Sequence, residues 1–367
     1  MPGGRRSSVA VQLRPRDRLT RAPPLLARLT GVRRGLLIIF ACLAVLLMLG
    51  VPAPAQQGSK PRWRVLHSVP GAVDVVGPRS DGRFIVSSRG GLVLFRRGGA
   101  ARPFARGPAG YAPAGGEPYV ALSQGRRLRR QDCSFRRDEV FALDAAGQPG
   151  VTRIGPRGRA RRFASFPAGA FPSGITFDGV GRFGNRLLVT AVFGQATTTV
   201  YAIDCRGRVR AISRGGPRVE GGIEVAPQSF GRFGGQLIAP DEHSGRVFAF
   251  DARGRRRLMI APRLPSGGDI GVESVGFVPP GFGRRGRAYL ADLGAPGAPT
   301  AGTDSVLTLS GASLTRAGVR PGDLLVAREA GAETIRVRCR RRCSARRVAT
   351  GPSAAHAEGH ITFAPRR

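Results

Sequence analysis

Four glutamates stand at one recurring position of a repeated sequence. Glu117, Glu220, Glu273 and Glu358 each come just before a short run of residues that is typical of a β-strand. If the repeats surround a common axis, their carboxylates converge, and converging carboxylates repel one another unless protons or a cation intervene. A hard divalent cation binds several carboxylate oxygens at once. The pattern therefore predicts a site for Ca²⁺, or for another divalent cation, formed by these four side chains.

Two aspartates and a serine could complete such a site. Asp241 and Asp292 end the second strands of two repeats, so they could add ligands or hold ligands in place. Ser173 occupies the glutamate position in the repeat that has no carboxylate there. The alternative is that each glutamate caps its own loop by binding backbone amides, with solvent between the four. Under either interpretation the catalytic residues, if there are any, stay unknown.

The histidines form a second group. In the run His356-x-Glu358-x-His360, alternate residues of a strand face the same way, which predicts two imidazoles and a carboxylate on one face. Such a set could bind a transition metal, and His243 could join it. The alternative is that the chain turns near His356 and leaves the histidines unrelated.

The elements that must position these residues repeat at a spacing near 50. Gly-Arg-Phe-Gly occurs at 181–184 and again at 231–234, and Asp-x-x-Gly occurs at 144–147, 204–207 and 251–254. Each element is a short β-branched or aromatic run bounded by Gly, Pro or Asp, which predicts a strand. A further copy is predicted from three runs that begin at 274, 288 and 306.

Four short strands that return every 40–50 residues or so are typical of a β-propeller blade. We therefore expect an all-β fold, a six-bladed β-propeller with a range of five to seven blades, over residues 71–367. The last repeat, 358–365, resembles 220–227. A terminal strand near 361–363 is expected to close the ring beside strands from 73–98, because closure removes exposed strand edges.

The charge balance is strongly basic, with 59 Lys plus Arg against 23 Asp plus Glu and a net charge of +36. All of the basic residues except Lys60 are arginine, and they are spread along the chain, which indicates a compositional bias. The sequence contains no zinc-finger, helix-turn-helix or aromatic RNA-binding pattern. We therefore expect no nucleic-acid partner.

The amino-terminal segment, residues 1–55, is typical of an export signal. A basic region precedes the apolar run 36–51, and Ala53-x-Ala55 matches the small-residue pattern at which signal peptides are cleaved. An apolar helix is expected here, either a cleaved signal peptide or a transmembrane anchor. A linker is expected over 56–70. We expect an extracytoplasmic protein, secreted or anchored, that contacts the membrane only through residues 36–51 if these are not cleaved.

Four cysteines follow this segment, and an even number in an exported chain indicates two disulfides. Three connectivities exist, and we predict the pairs Cys133–Cys205 and Cys339–Cys343. The closely spaced pair could instead be half of a metal site, but no second pair at suitable spacing accompanies it.

The strands that end near Asp, together with the recurring glutamates, resemble the six-bladed propellers of the SMP-30/gluconolactonase-like and NHL-like groups. The resemblance covers roughly residues 65–367 and is greatest to exported actinobacterial propellers of undefined activity. It implies a divalent cation that lactonases of the group hold with Glu, Asp and Asn side chains at the channel mouth. Ser173 stands where an Asn is expected, a departure that counts against lactonase activity.

Three functions are compatible with these features. The first is a monomeric propeller that binds a small molecule, a glycan or a protein at the channel mouth, with Ca²⁺ and without catalysis. The second is a metal-dependent lactonase or esterase, in which the cation polarises the carbonyl and a carboxylate activates water. The third is a quinone-dependent sugar dehydrogenase. Whether the protein is an enzyme stays open.

Overall fold

The structure is a computed structural model, and it describes residues 60–365. The predicted leader, with its apolar helix and its cleaved or anchoring role, lies outside the described residues. Within the described part of the chain, no helix is both long enough and apolar enough to cross a membrane.

The described chain is all-β except for one short helix, α1 (Gly311–Arg316), and two single-turn 3₁₀ helices (Arg129–Gln131 and Gly231–Phe233). The strands are β1 (Arg64–Ser68), β2 (Ala72–Val76), β3 (Phe84–Ser88), β4 (Gly91–Phe95), β5 (Arg102–Phe104), β6 (Val120–Gln124), β7 (Arg127–Leu128), β8 (Cys133–Ser134), β9 (Arg137–Asp144), β10 (Gly150–Ile154), β11 (Ala160–Ser165), β12 (Phe171–Phe177), β13 (Leu187–Phe193), β14 (Thr197–Ile203), β15 (Val209–Pro217), β16 (Glu224–Val225), β17 (Leu237–Asp241), β18 (Arg246–Phe250), β19 (Arg256–Ile260), β20 (Val272–Phe277), β21 (Arg287–Asp292), β22 (Ser305–Ser310), β23 (Leu324–Arg328), β24 (Thr334–Cys339), β25 (Cys343–Ala349) and β26 (Ala357–Ala364).

Four antiparallel four-stranded sheets form propeller blades, in the orders β2-β3-β4-β5, β6-β9-β10-β11, β12-β13-β14-β15 and β16-β17-β18-β19. An eight-stranded sheet has the order β1-β22-β21-β26-β20-β23-β24-β25. Its two halves meet at one parallel pair, Val275 with His360. The first strands contact one another in a ring, β2 with β6, then β12, β16, β20 and β26, and β26 again with β2. The all-β propeller arrangement predicted from the repeats is confirmed.

Two pairings differ from the expectation. The runs at 274–278 and 288–292 were assigned to one copy of the repeat, but β21 pairs with β26 whereas β20 pairs with β23. Strand order along the chain does not fix strand neighbours, and here a strand from the end of the described chain takes the inner position beside β21. The segment predicted as a linker, 56–70, includes β1, which pairs with β22.

Strand β26 lies beside β2, as predicted, but its ladder partner is β21. The contact with β2 is made by side chains: the Thr362 hydroxyl donates to the Val75 carbonyl over 2.6 Å. The His360 backbone N–H donates to Asp74 Oδ1 over 2.7 Å. The ring therefore closes within one half of the eight-stranded sheet, which contains both the first and the last described strands. In this half β1 is the outermost strand and β26 is the innermost.

The hydrophobic core lies between neighbouring sheets. One aromatic cluster joins the β9 sheet to the β12 sheet, where Phe141 and Phe135 each meet Phe177 edge to face at 5.4 and 4.9 Å between ring centroids. The predicted disulfide Cys133–Cys205 packs against this cluster, and the second predicted disulfide, Cys339–Cys343, joins β24 to β25. Both pairings are confirmed, and disulfides are typical of exported proteins.

At Asp204 and Asp251 the repeated Asp-x-x-Gly is the turn between the third and fourth strands of a blade, whereas at Asp144 it joins the second and third strands, β9 and β10. Oδ1 of Asp204 accepts hydrogen bonds from the backbone N–H groups of Arg206 and Arg208, and the N–H of Gly207 donates to the Asp204 carbonyl. Asp251 makes the same contacts in the next blade. The aspartate closes the turn, and the glycine supplies the left-handed backbone that the turn requires.

Asp178 organises the loop that carries the first Gly-Arg-Phe-Gly. Its fully buried carboxylate accepts backbone hydrogen bonds from Val180 and Gly181 on Oδ1, and from Phe183 and Asn185 on Oδ2. A buried carboxylate satisfied by four N–H groups holds the loop without help from secondary structure.

An Asp178→Asn variant is expected to lose about 2 kcal/mol of unfolding free energy, because the amide nitrogen cannot accept and leaves buried N–H groups unpaired. Urea unfolding monitored by tryptophan fluorescence measures the loss. Asp251→Asn is the matched control, since this carboxylate also caps a turn but is partly exposed, and we expect it to lose less than about 1 kcal/mol. Equal losses in the two variants would contradict the role given to the buried loop.

Candidate functional site

Three of the four recurring glutamates meet at one phenol. The hydroxyl oxygen of Tyr119 lies 2.6 Å from Glu117 Oε2, 3.0 Å from Glu273 Oε1 and 2.7 Å from Glu358 Oε2. Glu273 and Glu358 are the second residues of β20 and β26, and Glu117 lies just ahead of β6. Three inner strands from two sheets, β6 from one and β20 and β26 from the eight-stranded sheet, thus bring these carboxylates together at one end of the channel.

A phenol cannot satisfy three carboxylates. The Tyr119 hydroxyl has one proton to donate, so it can donate to only one of Glu117, Glu273 and Glu358. Every further short contact needs a proton on a carboxyl group or a cation close to it. The second oxygen of Glu273, Oε2, is buried and has no hydrogen-bond partner among the described residues. The arrangement is therefore short of positive charge.

The fourth glutamate, Glu220, lies at the edge of this group. Arg218 Nη2 donates to Glu220 Oε2 over 2.5 Å and lies 3.7 Å from Glu242 Oε1. Burial raises the pKa of Glu220 although Arg218 opposes the shift. Burial and the charge of Glu220 raise the pKa of Glu242 to about 7. Arg218 thus neutralises part of the acidic charge on one side of the channel mouth.

The pKa values of the other acidic side chains are raised, because these groups are buried from solvent and have too few positive charges near them. Burial, reinforced by the charge of Glu358, raises the pKa of Glu117 to about 8 and that of Glu273 well above its usual range. Burial raises the pKa of Glu329 to about 9 against the hydrogen bond that it makes with His356. In neutral solution without a cation, part of this group carries protons, and a bound cation would displace them.

His356 lies beside Glu358 and Glu329. Its Nε2 is 2.7 Å from Glu329 Oε1 and 3.5 Å from Glu358 Oε1, and its Nδ1 is 3.0 Å from the Thr300 carbonyl oxygen. Burial alone would lower the pKa of His356, but hydrogen bonds to the two glutamates and their charges raise it to about 11. Asp269, Glu329 and His356 have ligand atoms within 4.8 Å of one another, so they could hold a metal ion.

His360 does not share the side of its strand with His356, because Gly359 adopts a left-handed backbone conformation and breaks the alternation. Its Nδ1 lies 2.9 Å from Asp74 Oδ2 and its Nε2 lies 3.1 Å from the Ile223 carbonyl oxygen. Burial opposes the charge on the ring, but Asp74 raises the pKa of His360. The imidazole therefore braces the channel wall, away from the glutamates.

The other predicted residues have local partners. Asp241 accepts from the Ser244 N–H and hydroxyl, and Asp292 accepts from the Thr303 N–H and hydroxyl and from the His356 N–H. The Ser173 hydroxyl donates to the Val219 carbonyl.

His243 is half exposed, with Nε2 3.1 Å from Glu242 Oε1. Asp292 is thus a support for His356, and the ligand roles predicted for Asp241, Ser173 and His243 stay predictions.

Two of the glutamates, Glu117 and Glu220, open onto a cavity of about 430 Å³, whose other lining residues are Arg89, Pro113, Gly115, Gly116 and Phe171. Phe171 is 41% exposed, one of three large apolar side chains with such exposure in the described chain. An exposed aromatic ring next to carboxylates gives the cavity an apolar surface on which a ring-shaped ligand can pack. Glu117 belongs both to this cavity and to the contacts of Tyr119.

Fold and site together define a disulfide-bonded β-propeller with an acidic channel mouth. No family model matches the chain, and no curated protein matches it. Solved structures are similar in fold, among them virginiamycin B lyase from Staphylococcus aureus, with 11% identity, a TM-score of 0.44 and coverage of 77% of this chain and 73% of that chain.

The periplasmic gluconolactonase from Pseudomonas aeruginosa has 13% identity, a TM-score of 0.40 and coverage of 76% and 67%. A putative oxidoreductase (glucose dehydrogenase) from Thermus thermophilus has 15% identity, a TM-score of 0.45 and coverage of 82% and 90%. The predicted resemblance to gluconolactonase-like propellers is thus found among the structural neighbours, as a similarity of fold.

Proposed function

We propose that this protein is an exported β-propeller that binds one divalent cation, Ca²⁺, at the mouth of its channel and binds a ligand there. In this proposal each half of the eight-stranded sheet is one blade, so the propeller has six blades. The ring of six inner strands, β2, β6, β12, β16, β20 and β26, supports that number. The observation that carries the proposal is the convergence of Glu117, Glu273 and Glu358 on the single hydroxyl of Tyr119.

The ligand set fits Ca²⁺ better than a softer metal. Its members offer only oxygen, from three carboxylates and a phenol, and Ca²⁺ takes six to eight or so oxygen ligands in flexible geometry. Glu273 Oε2, buried and without a hydrogen-bond partner among the described residues, would gain one. Repulsion between the carboxylates would become attraction to a shared cation.

The ligand that we propose is a small molecule or a glycan bound in the cavity next to Glu117 and Glu220. Phe171 offers an apolar surface for a sugar-like ring, and Arg89 offers hydrogen-bond donors to its polar groups. We further propose that the protein acts as a monomer outside the cytoplasm, secreted or anchored through its amino-terminal segment. The two disulfides support an oxidising compartment.

Thermal unfolding tests the proposal. Purified protein is melted in the presence of a chelator and then with increasing Ca²⁺, and the melting temperature is expected to rise with the Ca²⁺ concentration. At a free Ca²⁺ concentration of about 100 times Kd, the free energy of unfolding is expected to increase by about 2.7 kcal/mol. Mg²⁺ at equal ionic strength is the control, since it prefers smaller octahedral sites. A melting temperature that neither Ca²⁺ nor the chelator changes would contradict the proposed Ca²⁺ site.

A second candidate, a metal-dependent lactonase or esterase, is favoured by one observation. His356 and Glu329 form a hydrogen-bonded pair next to the glutamates, which is the kind of pair that can move a proton in hydrolysis. Lactone hydrolysis that requires Ca²⁺ and is lost in Glu273→Gln and Glu220→Gln would support this candidate. A quinone-dependent dehydrogenase would instead be recognised by the absorbance of a bound quinone.

A further inference from the structure

Beside the proposed Ca²⁺ site lies a second group of side chains that could bind a metal ion. We propose that Asp269, Glu329 and His356 bind a transition-metal dication such as Zn²⁺, and that Glu358 faces both sites. The ligand atoms of the three residues lie within 4.8 Å of one another. The inference deepens the proposed function, because it gives the channel mouth two cations of different chemistry, but the zinc site does not require Ca²⁺.

His356 is held as a metal ligand would be. The Thr300 carbonyl oxygen, 3.0 Å from Nδ1, can only accept, so Nδ1 carries a proton and Nε2 is left for the metal. The backbone N–H of His356 donates to Asp292 Oδ1 over 2.8 Å, which fixes the residue from the other side. Histidines that bind zinc typically donate the other ring N–H to a carbonyl or a carboxylate in this way.

Glu329 supplies an independent sign of a missing ligand. Its side chain is buried, with only 4% of its surface exposed. Its Oε2 receives no hydrogen bond from an N–H or O–H group of the described residues, and the neighbouring Glu242 carboxyl could satisfy it only by carrying a proton, whereas Oε1 faces His356 Nε2 at 2.7 Å. A buried carboxylate oxygen without a partner is costly, and a metal ion would remove that cost.

Asp269 gives the site its access to solvent. The residue is exposed, and its loop is held against the acidic group by the hydrogen bond from its backbone N–H to Glu242 Oε2, over 3.2 Å. A metal ion can therefore reach His356 and Glu329 from the side of Asp269. Three protein ligands leave one position open for water or for a ligand, the arrangement found in zinc sites that bind substrates.

The two sites differ in ligand chemistry and share one carboxylate. The site at Tyr119 offers oxygen alone, whereas an imidazole nitrogen favours zinc and similar metals. Glu358 Oε2 lies 2.7 Å from the Tyr119 hydroxyl and Oε1 lies 3.5 Å from His356 Nε2. Each oxygen of Glu358 thus faces a different site, which places the two cations next to each other.

Metal analysis of tag-free, Ca²⁺-saturated protein dialysed against Zn²⁺ tests the inference. We expect one zinc per chain in addition to bound calcium, and Co²⁺ in place of zinc is expected to give visible absorbance. Asp269→Asn is expected to weaken zinc binding by at least about 10-fold, and His356→Gln to abolish it. His67→Gln, which replaces a histidine that packs against Phe95 outside the site, is expected to bind zinc as the wild type does.

Zinc bound with unchanged affinity in both Asp269→Asn and His356→Gln would overturn the second site. Zinc that displaces calcium one for one would also overturn it, because both ions would then occupy a single site. If Ca²⁺ does not bind but zinc binding depends on Asp269 and His356, the proposed function fails and the zinc site stands. Circular dichroism of each variant confirms that it is folded.

Discussion

Replacing Glu273 by Gln is expected to weaken Ca²⁺ binding by at least about 100-fold and, at the same time, to stabilise the Ca²⁺-free protein. Replacing a residue that only hydrogen-bonds to a metal ligand typically lowers metal affinity about 10-fold to 100-fold, so replacing a charged ligand itself should lower it more. Without Ca²⁺ the same side chain is buried near Glu358 and Glu117, and burial together with the charge of Glu358 raises its pKa, so it must either take up a proton or carry an unfavourable charge. A neutral amide of the same shape relieves that repulsion.

Isothermal titration calorimetry measures the affinity, and urea unfolding in a chelator measures the stability of the Ca²⁺-free form. Glu139→Gln is the matched control, because Glu139 is also buried, at 2% exposure, but is paired with Arg153. We expect this control to lose stability and to keep its Ca²⁺ affinity. If Glu273→Gln destabilises the Ca²⁺-free protein as Glu139→Gln does, Glu273 has a structural role and the cation site is wrong.

Replacing Gly221 by Ala is expected to cost about 4 kcal/mol of unfolding free energy. Gly221 has a φ of +79°, and a Cβ there would overlap both the side-chain Oε1 and the carbonyl oxygen of Glu273. The N–H of Gly221 donates to the Ser173 carbonyl over 2.8 Å, and the N–H of Gly222 donates to the Glu273 carbonyl over 3.1 Å. This segment therefore cannot move aside without losing its contacts with β12 and β20.

Gly281→Ala separates the two causes of that cost. Gly281 has a similar φ of +77°, but a Cβ there meets nothing within 4 Å. We expect it to cost about 1 kcal/mol, the strain of the left-handed backbone alone. Urea unfolding compares the two variants, and Ca²⁺ titration should find a weaker site in Gly221→Ala alone. Equal losses of stability would contradict the close approach of Gly221 to Glu273.

The fold could be predicted from local signals that repeat. Asp204 and Asp251 close equivalent turns through the same backbone contacts, so a short sequence pattern marked these two neighbouring blades. Pairing between distant strands carried no such signal. Strands β21 and β22 follow β20 along the chain but pair with β26 and β1, because a strand is chosen by packing and edge closure and not by sequence order.

The site could be predicted where it depended on position in the repeat. The equivalence of Glu117, Glu273 and Glu358 indicated that they meet, although nothing indicated Tyr119 as their common contact. Two further acidic residues of the site, Glu242 and Glu329, were not predicted from the sequence. Each directly follows the second strand of its sheet, β17 or β23, a shared position that was hidden because β23 was not recognised as a second strand.

The predicted arrangement of the histidines was wrong because of one backbone feature, the positive φ of Gly359. Alternation along a strand predicted a common face for His356 and His360, but the left-handed Gly359 turns His360 toward Asp74. A Cβ at Gly359 would overlap the Asp74 carboxylate, so the close approach itself requires glycine. Glycine in a strand can indicate a bulge, and that signal was present in the sequence.

The central claim is that Glu117, Glu273 and Glu358 share a cation at the channel mouth. Anomalous diffraction from crystals grown with Ca²⁺ tests it most directly. The account predicts one strong peak within about 2.3–2.6 Å of oxygens from all three carboxylates. Crystals that contain Ca²⁺ but have no peak there, with Tyr119 still surrounded by the three carboxyl groups, would contradict the account.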